Sequence, residues 1–242
     1  PFTQHVFLHA LEASGSACAA RGWQPQHLVI EDNGALIATL PLYIKQHSMG
    51  EYVFDQSWAR AYQRHGLDYY PKLVSAIPFT PASGPRLSFL DCEARELMKV
   101  VGDALQRRCA DLNASSWHVL FPDEGSISLW QQTDSDLRLG CQFHWLNESY
   151  REFDDFLATF SSRKRKEVKR ERRRIAEQGV QLIRLTGDEI TPEYWQKFFS
   201  FYQLTNLKYN AHAGYLTPDF FVRLHANMRN TLLLVIALDE YG

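Results

Sequence analysis

The apolar positions of the chain change period along its length, and each change marks an element. Val6, Phe7, Ala10, Leu11 and Ala13 recur at helical spacing and Gly15 follows them, which predicts a helix that stops at the glycine. Residues 27–44 (HLVIEDNGALIATLPLYI) instead hold two β-rich runs around Asp32-Asn33-Gly34. Asn-Gly supplies the positive φ angles of a tight turn, so a hairpin is predicted. Asp55 stands where it can cap a short helix running through Ala61 and Arg64 to Gly66. Residues 71–79 (PKLVSAIPF) read as a buried strand and residues 80–90 (TPASGPRLSFL) as an irregular loop. Asp91, with Glu93 behind it, opens a long helix whose Leu97, Val100, Val101, Ala104, Leu105 and Cys109 form an apolar stripe. A strand (WHVLF, 117–121), a short helix (124–134) and a strand or strand pair (LRLGCQFHWLN, 137–147) follow.

This order describes an α/β sandwich built on a mixed sheet. A second unit is predicted to begin near residue 142, with a strand at Phe143, a helix from Tyr150 to Phe160 and a basic helix over 161–178. A strand at 180–185, helices opening at Thr191-Pro192 and Thr217-Pro218, and a strand over 231–238 complete it. Each Thr-Pro pair places Thr at the cap and Pro at the first helical position. Residues 239–242 read as a hairpin turn without its return strand, and the first residues carry neither an initiator Met nor the basic flank of a signal peptide. The expectation is therefore a piece of a longer protein: residues 1–141 form one domain lacking its first strand, and residues 142–242 the start of another.

Composition narrows the class. At 242 residues with 45% hydrophobic and 22% charged residues, the chain can bury one large core or two smaller ones and does not read as disordered. The longest strongly apolar run, residues 231–238 (TLLLVIAL), is far shorter than the roughly 20 residues a membrane helix needs. Cys18, Cys92, Cys109 and Cys141 show no metal-ligand spacing, and His5 and His9 lack a third ligand and the HExxH glutamate. No metal is expected, the cysteines read as packing thiols, and a cytoplasmic location follows.

Charge adds a partner. Residues Arg163 to Arg174 (RKRKEVKRERRR) hold nine of the 26 Lys and Arg and two of the 28 Asp and Glu, a patch of about +7 on a body of about −9. Arg163, Lys164, Arg165, Lys166, Lys169, Arg170, Arg172, Arg173 and Arg174 are thus candidates for binding tRNA or another polyanion. The competing reading is internal: Glu167 and Glu171 stand three residues before Arg170 and Arg174 and can pair along the helix, or the cations can meet acidic groups elsewhere in the chain.

The segments PFTQHVFLHALE, GWQPQHLVIEDNG, PLYIKQHSMGEYVFDQSWARAYQRHGLDYYPKL and PFTPASGPRL resemble a bacterial FemAB-like family with the GNAT (N-acetyltransferase) fold, labelled as concerned with peptidoglycan biosynthesis. The likeness continues through SSRKRKEVKRERRR and GYLTPDFF. It implies tandem GNAT-like acyltransferase domains, the second incomplete here. Relatives in the wider FemAB group move an amino acid from aminoacyl-tRNA to a cell-wall precursor, whereas ordinary GNAT enzymes use acyl-CoA. The resemblance thus implies no tightly bound cofactor, a donor that is either aminoacyl-tRNA or acyl-CoA, and a small-molecule or cell-wall-precursor amine as acceptor.

Two stretches carry candidate chemistry. In a GNAT fold the loop before the long helix holds a pyrophosphate, and here that place is Ala82-Ser83-Gly84-Pro85-Arg86. Pro85 removes an N–H donor there, while Ser83, Gly84 and Arg86 can bind a phosphate or carboxylate; the plain alternative is a turn whose arginine pairs with a surface acid. In residues 50–72, Tyr52, Trp58, Tyr62, Tyr70 and Lys72 can line a substrate pocket, and Glu51 and Asp55 are candidate general bases toward an acceptor amine. Against this, Trp58 and Tyr62 share one helix face and can simply pack, and the carboxylates can cap or form ion pairs. Arg86 is expected to converge with Tyr52, Asp55, Tyr70 and Lys72 on one cleft. Three functions stand open: FemAB-like transfer to an amine, acyl-CoA-dependent N-acyl transfer, and a non-catalytic RNA- or phosphate-binding scaffold.

Overall fold

The computed structural model describes residues 1–90 and 93–239, and these form a mixed α/β protein that divides into two units. Residues 1–139 and 193–228 make the first; residues 140–192 and those from 229 on make the second.

In the first unit, helix α1 (His5–Ala13) and the short strand β1 (Gln24–Pro25) precede the hairpin of β2 (Leu28–Asp32) and β3 (Ala35–Leu40). Asp32 pairs with Ala35, and Asn33 and Gly34 take φ of 49° and 81° at the turn, as the Asn-Gly pair predicts. Pro41 has no N–H for a ladder, and beyond it the chain passes to a different sheet as β4 (Tyr43–Lys45). Helix α2 (Gln56–Arg64) follows, then β5 (Lys72–Ser75) antiparallel to β4. Strand β6 (Ser88–Phe89), inside the stretch expected to be irregular, pairs with β3. Helix α3 (Ala94–Asp111) then carries the chain across to β7 (Trp117–Val119), which lies parallel to β5. Helix α4 (Glu124–Trp130) starts at Asp123, whose carboxylate accepts the Ser126 N–H at 3.0 Å. The chain then runs through α5 (Phe153–Ala158), α6 (Ser162–Glu177) and β8 (Gln181–Thr186). Helices α7 (Pro192–Asn210) and α8 (Pro218–Met228) and strand β9 (Leu233–Leu238) follow.

The sheets order as β1-β4-β5-β7, β2-β3-β6 and β8-β9. Period-two alternation on β4 and β5 divides the first unit's core. Tyr43 and Val74 face one side with Phe7, Leu11, Trp23, Phe220 and Phe221; Ile44 and Leu73 face the other with Leu97, Met98, Val101, Leu105 and Trp130. Val100, placed in the stripe by its spacing, is 46% exposed, because Leu97, Val101 and Leu105 with Met98 set the buried face of α3.

Helices α7 and α8, which the sequence groups with the second domain, pack in the first unit. The Phe7 and Phe220 rings meet at 5.8 Å, and Ser16 Oγ accepts the Thr217 N–H at 3.0 Å. In the second unit, Leu157, Ile190 and Leu234 are buried and Tyr150, Phe153, Phe156 and Phe160 form a ring cluster. β8 and β9 pair antiparallel from Gln181–Leu238 to Thr186–Leu233. The strand expected over 137–147 does not form: with no ladder partner among the described residues, Leu139, Phe143 and Leu146 stand in solvent. Cys141, expected to pack, lies in this stretch and is exposed. Among the described residues no helix is long and apolar enough to cross a membrane. The Asp91 cap, Cys92 and the turn at Glu240–Gly242 lie outside the described residues.

Candidate functional site

Lys45 and Lys72 are register partners on antiparallel β4 and β5, on the face shared by Tyr43 and Val74. Both side chains are fully buried. Like charges directly opposite are unfavourable in a sheet, so something must balance them. The loop after β4 does so. Lys72 Nζ donates to Glu51 Oε2 at 2.8 Å and to Asp55 Oδ2 at 2.6 Å, and the Tyr69 hydroxyl donates to the same Asp55 oxygen at 2.7 Å. Lys45 Nζ donates to the Met49 carbonyl at 3.2 Å, lies 4.0 Å from Glu51 Oε1 and sits 3.7 Å from the centre of the Trp23 ring. The Trp23 Nε1–H reaches the same Met49 oxygen at 3.3 Å.

The electrostatics separate the two carboxylates. Burial alone would raise Asp55, but hydrogen bonds from Lys72, Ser48 and Tyr69 overcome it and hold its pKa at about 2. Glu51 is pushed up by burial, against the pull of Lys72 and Lys45, and its Oε1 has no hydrogen-bond partner. Burial brings Lys45 down to about 7, with Glu51 opposing. Close by, the Tyr69 ring lies 6.2 Å from that of His118, whose pKa burial and the charge of Lys72 lower to about 4.

Above this quartet the backbone is strained. Tyr52 and Phe54 hold φ of 61° and 51°, a region costly for bulky residues. Glu51 and Asp55 point inward while Tyr52 and Phe54 are 43% and 76% exposed, so the loop is pinned at two buried carboxylates and presents rings between them. Gly50, at φ 78°, is needed here because a Cβ would stand 2.5 Å from the Phe79 ring. Phe79 in turn stacks on Tyr215 at 4.8 Å, and the Tyr215 N–H donates to the Tyr202 hydroxyl at 2.7 Å.

The structure therefore brings Glu51, Asp55 and Lys72 together, with Tyr70 bound to Ser48 at 2.7 Å and Tyr62 edge-on to Tyr69 at 5.1 Å. Trp58 does not pack on the sheet; it is 51% exposed, with the Arg138 guanidinium 5.9 Å from its ring. Asp55 precedes α2 without capping it: its Oδ2 accepts from Lys72 and Tyr69, and its Oδ1 is buried without a hydrogen-bond partner among the described residues. The sequence points to Tyr69 within the aromatic stretch 50–72 but not to Lys45, Ser48 and Trp23, although Lys45 was accessible: it shares the period-two face of Tyr43.

Arg86 does not join them. It is buried and donates to the carbonyls of Leu120 at 2.9 Å, Gly84 at 3.1 Å and Ala82 at 2.5 Å, and burial lowers its pKa to about 10. The Gly84 N–H donates to Phe121 O at 3.2 Å, so the loop expected to cradle a phosphate satisfies itself; Ser83 is exposed. Among the described residues no hydrogen bond or ion pair links Arg86 to Glu51, Asp55 or Lys72. A cleft of 220 Å³ lies beside this loop, lined by Pro85, Leu87, Asp123, Ser126 and Trp130. Another, of 510 Å³, is lined by Gln26, His27, Leu42, Leu105 and Arg108, none of them foreseen as site residues.

On α6 no residue is buried. Arg165 closes the end of α5, donating to the carbonyls of Leu157 and Ala158 at 2.9 Å and Phe160 at 3.1 Å. Lys164 pairs with Glu167 at 3.1 Å, Lys169 with Asp154 at 3.0 Å, and Arg172 lies 4.1 Å over the Phe153 ring. Glu167 thus pairs backward, not with Arg170.

No curated protein and no solved structure matches the chain significantly. The model of the FemAB-like family, described as peptidoglycan biosynthesis/recognition, matches residues 1–241, and the chain belongs to that family.

Proposed function

We propose that the chain is part of a FemAB-like transferase with tandem GNAT-like domains, which moves an aminoacyl or acyl group onto the amine of a peptidoglycan-related acceptor. The strained loop over the buried quartet carries this reading. Taking charges out of water costs several kcal/mol per ion before pairing, and left-handed Tyr and Phe add about 1–2 kcal/mol each. Yet the two strained residues present exposed rings, and of the three residues between the carboxylates Val53 is the one that packs against the core. This arrangement fits a surface held in shape for a ligand, and family membership supplies the ligand's class.

In the transfer, the acceptor nitrogen attacks the donor carbonyl carbon; the C–N bond forms, the ester C–O bond breaks, and the amine proton ends on the leaving oxygen. Glu51 and Asp55 are sealed beneath the loop, so their part is to hold its shape, and the rate comes from keeping donor and acceptor together. Aminoacyl-tRNA is favoured over acyl-CoA because Gly84 and Arg86 have already spent hydrogen-bond donors within their own loop and Pro85 has none. The same observation supports the second reading, a non-catalytic RNA-binding scaffold.

The test gives full-length protein an amine-bearing cell-wall precursor and either aminoacyl-tRNA or acyl-CoA, each labelled in the acyl group. Label should pass from tRNA to the precursor. Passage from acyl-CoA alone would replace the donor, and retention of tRNA without transfer from either would favour the scaffold.

A further inference from the structure

The nine cations of α6 are not equivalent. Lys164, Arg165, Lys169 and Arg172 are engaged within their own unit, whereas Arg163, Lys166, Arg170, Arg173 and Arg174 are exposed and make no such contact among the described residues. At about 100° per residue, these five fall within an arc of about 100°, and the engaged four occupy the opposite side. Val168 and Ile175 lie roughly 150–170° from the centre of the free arc.

This face works against the helix that bears it. The first turn holds no acidic residue, so Arg163 meets the positive end of the helix dipole there. Arg163–Lys166, Lys166–Arg170, Arg170–Arg173 and Arg170–Arg174 are like charges at three- and four-residue spacing. A bound anion removes both penalties.

We infer that this face binds the phosphodiester backbone of RNA. Four of its five cations are arginines, whose planar fork matches phosphate. A membrane surface fits poorly, because a helix laid on lipid buries an apolar face beside its cations, and here the two apolar residues point the other way. That the RNA is tRNA rests on the transferase reading above; the backbone-binding face does not.

Two variants matched in charge test it in the full chain: Lys166→Gln/Arg170→Gln on the free face and Lys164→Gln/Lys169→Gln on the engaged side. Binding of deacylated tRNA is measured from about 50 to 200 mM salt. The free-face pair should weaken binding and flatten the salt dependence by roughly 0.7–0.9 per lost contact, about 1.4–1.8 in all, with the engaged-side pair leaving the slope unchanged. Equal effects of the two pairs, or none from either, overturn the proposal. So does binding to vesicles of phosphatidylglycerol and phosphatidylcholine without binding to tRNA. Intact tRNA binding without acyl transfer defeats the transferase reading and leaves this face standing.

Discussion

Lys45 and Lys72 face each other across β4 and β5, both fully buried, and only Lys72 has carboxylates in hydrogen-bond contact. The two lysines are therefore unequal: one is the hub of the quartet and the other rests on an indole face and a carbonyl.

Removing each charge at constant volume should expose that difference. Lys72→Met leaves Glu51 and Asp55 buried and uncompensated, at a cost of about 3–5 kcal/mol. Lys45→Met keeps a long side chain over Trp23 and should cost less than about 1.5 kcal/mol. Urea denaturation of the two variants ranks them, and equal losses would contradict the assignment of Lys72 as hub.

Above about pH 4, beyond the acid range in which Asp55 titrates, stability should rise with pH in two separate windows. His118 has its pKa near 4 when folded and 6.5 in its ordinary state, so between these values the unfolded chain binds more protons and stability rises with pH. Lys45, near 7 when folded against 10.5, adds a second rise between those values. Glu51, raised on folding, opposes them as pH climbs above 4.5. Denaturation at several pH values should show the lower rise shrink in His118→Asn, with the part due to the lowered His47 remaining, and the upper one vanish in Lys45→Met.

Phe54 separates folding from recognition. Glycine at this left-handed position relieves about 1–2 kcal/mol of strain against an entropy cost of about 0.5–1 kcal/mol. Phe54→Gly should then melt no lower than the wild type while its KM for the acceptor rises. A loss of more than about 1 kcal/mol would mean that the exposed ring serves the fold.

Arg86 should behave as a brace. Arg86→Lys cannot reach three carbonyls with a point charge and leaves buried acceptors unpaired, costing about 2–4 kcal/mol. Donor affinity, measured well below the melting transition, should stay unchanged; a drop in that affinity at full stability would restore Arg86 to phosphate binding.

Local signals carried the reading of the elements. Asn33-Gly34, Thr191-Pro192 and Thr217-Pro218 each fix a backbone geometry within a few residues, and the hairpin and both helices form where those residues put them. Leu137 to Asn147 has strand-like residues but no ladder partner among the described residues, and partner supply is a tertiary property that alternation does not encode. Glu51, Asp55 and Lys72 could be picked out as one neighbourhood because 21 residues at most separate them. Lys45 shares the period-two face of Tyr43 but stands outside that stretch, and Arg86 misled because an arginine in a loop has the same signature whether it holds a ligand or its own carbonyls.

The first unit also constrains how the protein comes off the ribosome. The Ser16–Thr217 bond and the α1–α8 contact join segments 201 residues apart, with residues 140–192 of the second unit made in between. At about 5–20 residues per second, the apolar side of α1 waits roughly 10–40 s for α8. During synthesis Phe7, Leu8 and Leu11 therefore stay uncovered by Phe220 and Phe221, which makes α1 a natural client for chaperones in the nascent chain.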